Sequence, residues 1–105
     1  MKVIWLPDAR IQFREIVKSG AEKFGQNTVL RFQRNVRLQA NMLGSSPRIG
    51  KREPLLMEHV KEYRCMVIKP HFKLIYHIDE QKDVVYIADF WDTQRNPATL
   101  ASRLS

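Results

Sequence analysis

Apolar residues in the first half of the chain recur at helical spacing, whereas those in the second half alternate. Lys2-Val3-Ile4-Trp5-Leu6 is short, β-branched and aromatic, and Pro7 stops it, which predicts a strand. Pro7-Asp8 suits a helix start: proline fits the first turn and an acid favours the positive end of the dipole. Ala9, Phe13, Ile16, Val17 and Phe24 keep the helical period until Gly25, a natural terminator. A second helix is expected after a cap at Asn27 or Thr28. Its core stripe is Val29, Phe32, Val36, Ala40 and Leu43, and Gly44-Ser45-Ser46-Pro47 ends it. So short a connection makes the two helices an antiparallel hairpin.

Residues 45–54 are aperiodic and basic, and predict a loop. Three strand-like runs follow: Tyr63 to Lys69, Phe72 to Ile78 after a tight Pro70-His71 corner, and Val84 to Trp91 after the polar turn 79–83. In the middle run Phe72, Leu74, Tyr76 and Ile78 fall on one face, with Lys73, Ile75 and His77 on the other. Asn96 and Pro97 open a short tail helix carrying Leu100 and Leu104. The first strand cannot hairpin to its successor, so it joins the sheet at an edge or beside a later strand. The expectation is one α+β domain over residues 1–105, with the helical hairpin across one face of a mixed or antiparallel sheet.

Composition narrows the class. A chain of 105 residues with 44% hydrophobic and 28% charged residues can build one core. No apolar run approaches the ~18 residues that span a bilayer, so no membrane role is expected and a cytoplasmic setting is the simplest one. Cys65 stands alone, which excludes an internal disulfide and a cysteine-built zinc site. The net charge is +7, and no acid lies between Glu22 and Glu53, a stretch holding seven cations. Such an imbalance attracts a polyanion or an acidic protein, with a strong dependence on salt.

Four motifs in order resemble the RelE/ParE superfamily of toxins. They are Val3-Ile4-Trp5-Leu6-Pro7-Asp8-Ala9, Tyr63-Arg64-Cys65-Met66-Val67, the aromatic-basic-apolar run Phe72-Lys73-Leu74-Ile75-Tyr76-His77-Ile78-Asp79-Glu80, and Val84 to Asp92 followed by Arg95-Asn96-Pro97. The resemblance implies a four-stranded, mostly antiparallel sheet, an N-terminal helical hairpin, a short C-terminal helix and a concave basic face. It also implies a type II toxin with a cognate acidic antitoxin. Two activities occur in the superfamily: ribosome-dependent, metal-independent cleavage of messenger RNA, and inhibition of DNA gyrase without nuclease activity. A non-toxic binding module on the same fold is a third reading.

RNA cleavage needs a base for the 2′-hydroxyl, cations for the phosphorane and an acid for the leaving oxygen, with no metal or other cofactor. By resemblance Lys73, Arg64 and Arg95 are the candidate cations, and His71 and His77 the candidate proton carriers. Arg48, Lys51, Arg52 and Lys69 would hold the substrate, with Trp91 stacking on a base. Relatives that cleave RNA place a tyrosine or histidine in or after the last strand, and residues 92–105 contain neither. On the second helix, Leu38 and Met42 lie outside the core stripe near Arg31, an apolar patch rimmed by charge that suits an acidic amphipathic antitoxin segment.

Overall fold

The computed structural model describes residues 1–104. The chain runs β1 (Lys2–Trp5), α1 (Pro7–Phe24), α2 (Gln26–Ser45), β2 (Lys51–Arg52), a 3-10 turn (Pro54–Leu56), β3 (Arg64–Ile68), β4 (Phe72–Asp79), β5 (Val84–Asp92) and α3 (Ala98–Arg103). The strand order is β1-β5-β4-β3-β2. β1 pairs with β5 in parallel, and the other neighbours are antiparallel. The first strand therefore takes an edge position beside the last. The sheet has five strands rather than four, because two residues of the expected basic loop pair with β3: Lys51 opposite Cys65 and Arg52 opposite Arg64.

The helical hairpin is tighter than its sequence suggests. Gly25 alone separates the helices, at φ 88°, a backbone conformation that glycine adopts without a Cβ penalty. α2 starts at Gln26, so Asn27 and Thr28 sit inside its first turn and do not cap it. The stripe itself is as expected: Val29, Val36, Ala40 and Leu43 are buried and Phe32 is half-buried. Facing them are Phe72, Leu74 and Tyr76 of β4 with Val85, Ile87 and Phe90 of β5. Trp5, Phe13, Phe32, Phe72 and Phe90 form the aromatic heart, with ring centroids 5.0 Å apart for Phe13–Phe90 and 5.4 Å for Phe72–Phe90.

The opposite face of the sheet carries a second, smaller core. Tyr63, Cys65, Ile75, Ala88 and Trp91 are roofed by Leu56 of the 3-10 turn and Leu100 of α3, with Leu6 and Leu104 at the margin. This second layer covers part of the sheet face opposite the hairpin. A bulge shifts the β4/β5 register between Ile75 and Tyr76, leaving Ala88 as the extra residue of β5. The tail helix opens as expected, with Asn96 Oδ1 accepting the Ala98 amide at 3.1 Å. Among the described residues no helix is long and apolar enough to cross a membrane.

Gly50 locks the short edge strand in place. Its N–H donates to the Tyr76 hydroxyl at 2.9 Å and its carbonyl accepts from Arg64 Nη1 at 2.8 Å. A Cβ there would lie 2.4 Å from the Cys65 carbonyl oxygen, closer than any side chain permits.

Leu43 is fully buried between α2 and the sheet. Leu43→Ala is expected to destabilise the domain by about 3 kcal/mol, measured as a lower urea midpoint with an unchanged denaturant slope. An unchanged midpoint would show that this stripe does not hold the hairpin.

Candidate functional site

The sequence-predicted cations do not converge. Lys73 stands opposite Val67 and Trp91, on the outer face of the sheet. Arg64 stands opposite Tyr76, which belongs to the core under the hairpin. The two side chains leave the sheet on opposite sides. Arg95 is exposed in the turn after β5.

Lys73 is already engaged. Its ammonium donates to both oxygens of Glu53, at 2.7 and 2.9 Å. Glu53 has no solvent exposure, and it also accepts the Leu55 amide at 3.2 Å. A carboxylate so buried needs its cation, because an unpaired charge in a low-dielectric site is costly. Cys65 lies beside this pair: burial first, then the Glu53 carboxylate, pushes its thiol up to about 11, so it is no nucleophile at neutral pH. Arg64 is similarly committed, holding the Gly50 carbonyl and lying 3.6 Å from Glu62.

The histidines are separated as well. His71 sits at the start of β4 with Nε2 3.8 Å from Asp92 Oδ1 and its ring against Phe72. His77 lies six residues along the strand, about 20 Å away at the usual rise. It rests edge-on to Tyr63, 5.5 Å away, and beside Tyr86, 5.4 Å away. Burial, aided by nearby Lys61, holds its pKa below the ordinary value. Trp91 is 1% exposed, with the Arg103 guanidinium 5.3 Å from its ring centroid, so it offers no free face to a base. Of the basic loop, Lys51 is exposed on β2, Arg48 pairs with Glu80, and Arg52 lies 3.8 Å from Glu62. Lys69 is exposed at the β3/β4 corner. Among the described residues no cluster of three His, Cys, Asp or Glu could hold a metal ion.

Two surfaces do combine charge with apolar area. On α2, Arg31, Leu38 and Met42 are spaced seven and four residues apart and share a helical face, with Leu38 67% and Met42 46% exposed. The other is a groove of about 670 Å³ between the hairpin and β1. Trp5, Phe13, Val17 and Ala40 contribute its apolar walls, and Arg10, Arg14 and Arg37 its charge; no acidic residue lines it. Among the described residues β1 has a strand neighbour on one side only, which leaves its other edge open for pairing beside this groove. Arg10 and Arg14 were legible as an i, i+4 pair on α1, but only folding shows that Arg37 of α2 joins them.

The architecture is that of a basic α+β domain, with a helical hairpin over one face of a mixed five-stranded sheet. A profile of the "ParE toxin of type II toxin-antitoxin system, parDE" matches residues 3–97, and the chain belongs to that family. A solved structure titled "Chromosomal ParDE TA system from P. aeruginosa" superposes with a TM-score of 0.72 at 15% identity, over 90% of this chain and 97% of that one. At that identity the likeness speaks for the fold. No curated protein matches the sequence.

Two outcomes follow. Lys73→Met strands the buried Glu53 charge and is expected to cost about 3–5 kcal/mol, read as a loss of urea stability that pairing with Glu53→Gln largely restores. A double variant as unstable as the single one would deny the charge coupling. For His77, the folded state holds the proton less tightly than the unfolded chain. Stability is therefore full above the unfolded value near 6.5 and falls as pH drops through it towards the lower folded value. His77→Gln should flatten that acid limb in thermal melts between about pH 7 and 5; an identical limb in parent and variant would remove His77 as its source.

Proposed function

We propose that this type II toxin arrests growth by binding DNA gyrase and does not cleave RNA. One observation carries the reading: Lys73 is closed off by both oxygens of Glu53. Phosphorane stabilisation requires a cation free to meet developing charge. Here Lys73 faces a carboxylate, Arg64 holds a backbone carbonyl across the sheet, and Trp91 is covered. Residues 92–105 also contain neither tyrosine nor histidine, and the one tyrosine of β5, Tyr86, packs its ring against His77. What remains is a basic surface with apolar strips, which suits binding a large acidic partner rather than chemistry.

The cognate antitoxin, on this reading, is acidic and covers both surfaces described above. An amphipathic segment seats on Leu38 and Met42 beside Arg31. An extended acidic segment runs along the β1 edge, its carboxylates meeting Arg10, Arg14 and Arg37. Strand addition supplies main-chain hydrogen bonds, and the three guanidinium groups supply register and attraction.

The decisive experiment sets the purified chain against two targets. Inhibition of gyrase supercoiling, with messenger RNA left intact on programmed ribosomes, is the expected result. Codon-specific cleavage on the ribosome that Arg64→Ala or Arg95→Ala abolishes would overturn the proposal. For the partner, Arg10→Glu with Arg14→Glu should weaken antitoxin binding at least about 100-fold at low salt, and much less at high salt. Unchanged affinity in a titration would move the antitoxin off this groove.

A further inference from the structure

The outer face of the sheet is closed by the chain's own tail. α3 is a helix of six residues, far too short to be stable by itself. Three contacts hold it down. Leu100 is fully buried on the second core, against which Leu104 also packs. Arg103 Nη2 meets Asp89 Oδ1 at 2.7 Å, and His59 Nε2 meets the Leu104 carbonyl oxygen at 2.8 Å.

Asp89 is the unusual member. It lies in β5 next to the bulge, 1% exposed, on the sheet face that also carries Ile75, Ala88, Trp91 and the Lys73–Glu53 pair. A carboxylate there is expensive, and the fastening is imperfect. Asp89 Oδ2 and Arg103 Nη1 are both buried without a hydrogen-bond partner among the described residues. Burial raises the Asp89 pKa despite the neighbouring Arg103, so desolvation outweighs the attraction even in the closed form. A buried ion pair roughly breaks even against apolar residues of the same shape, whereas lifting the tail returns both charges to water and satisfies both orphan atoms. Such a contact fixes where the tail sits while contributing little to keeping it there.

We propose that residues 96–104 form a reversible cover, clasped by Asp89–Arg103, that swings off the sheet as a unit and uncovers Trp91 while the hairpin and five strands stay folded. The sheet's main core lies on the far side, under α1 and α2, and contains no residue of the tail. Opening therefore removes the roof of the second core without touching the first. In the closed form the toxin masks its own outer face, including the ring of Trp91 beside the Lys73–Glu53 pair.

The chain has two tryptophans, so Trp5→Phe leaves Trp91 as the sole reporter. In that background acrylamide should quench Trp91 weakly, in keeping with a closed majority. Arg103→Ala leaves Asp89 buried and unpaired, so quenching should rise roughly three-fold or more while far-UV dichroism keeps the signal of α1 and α2. The double variant Asp89→Leu, Arg103→Leu replaces the clasp by apolar contact and should quench no more than the parent. A second measurement needs no variant: in the native chain, amides 98–103 should exchange with solvent before those of β4 and β5. Exchange of the tail only together with the central strands would overturn the proposal. So would an Arg103→Ala chain whose Trp91 becomes accessible only as the whole domain melts.

Discussion

Glu53 is a charged side chain with no contact with water, and the outer half of the molecule is arranged around that constraint. It is reached by the segment between β2 and the 3-10 turn, and Lys73 of β4 is the cation that neutralises it. The pair ties the long connection from α2 to β3 onto the middle of the sheet. It also decides the chemistry available there. Lys73 meets this buried carboxylate at hydrogen-bond distance, and the neighbouring Cys65 is driven towards the neutral thiol by the same environment. In the strand signature Phe72 to Ile78, the lysine is thus paired with a carboxylate that the fold has buried.

Charge and apolar surface are then distributed by the topology. Parallel pairing of β1 with β5 puts the first strand at an edge, beneath the flank of the hairpin. α1 and α2 bring Arg10, Arg14 and Arg37 to that edge from opposite sides of the groove. The outer face holds its ion pairs inside a second apolar layer, where Asp89–Arg103 and Glu53–Lys73 differ in one respect. Each carboxylate also has a backbone amide, but Glu53 meets its cation with both oxygens, whereas Asp89 Oδ2 and Arg103 Nη1 lack partners among the described residues. The first contact is tight, and the second is poised.

The placement of helices and strands was legible along the chain, because binary patterns report which face of an element is buried. The stripe Val29, Phe32, Val36, Ala40, Leu43 specified the inner side of α2, and alternation in Phe72 to Ile78 specified both faces of β4. Family kinship could be read from four motifs for the same reason. Element ends were less legible: Gly25 served both helices at once, and Lys51-Arg52 became a strand only because β3 offered an edge beside Gly50. A two-residue strand has no pattern of its own.

Partnerships of charged side chains were decided by tertiary structure alone. Lys73 and Arg64 look alike as basic residues on adjacent strands, yet strand register sends one outward and the other under the hairpin. Glu53 carries no sequence mark of burial, and neither Asp89 nor Arg103 announces the other across fourteen residues. Hydrophobic periodicity is a local property, so sequence alone determined the elements and their buried faces. A long-range ion pair depends on how the strands register and where the loops close. Whether a cation is free to act or already spent was therefore settled only once the chain was folded.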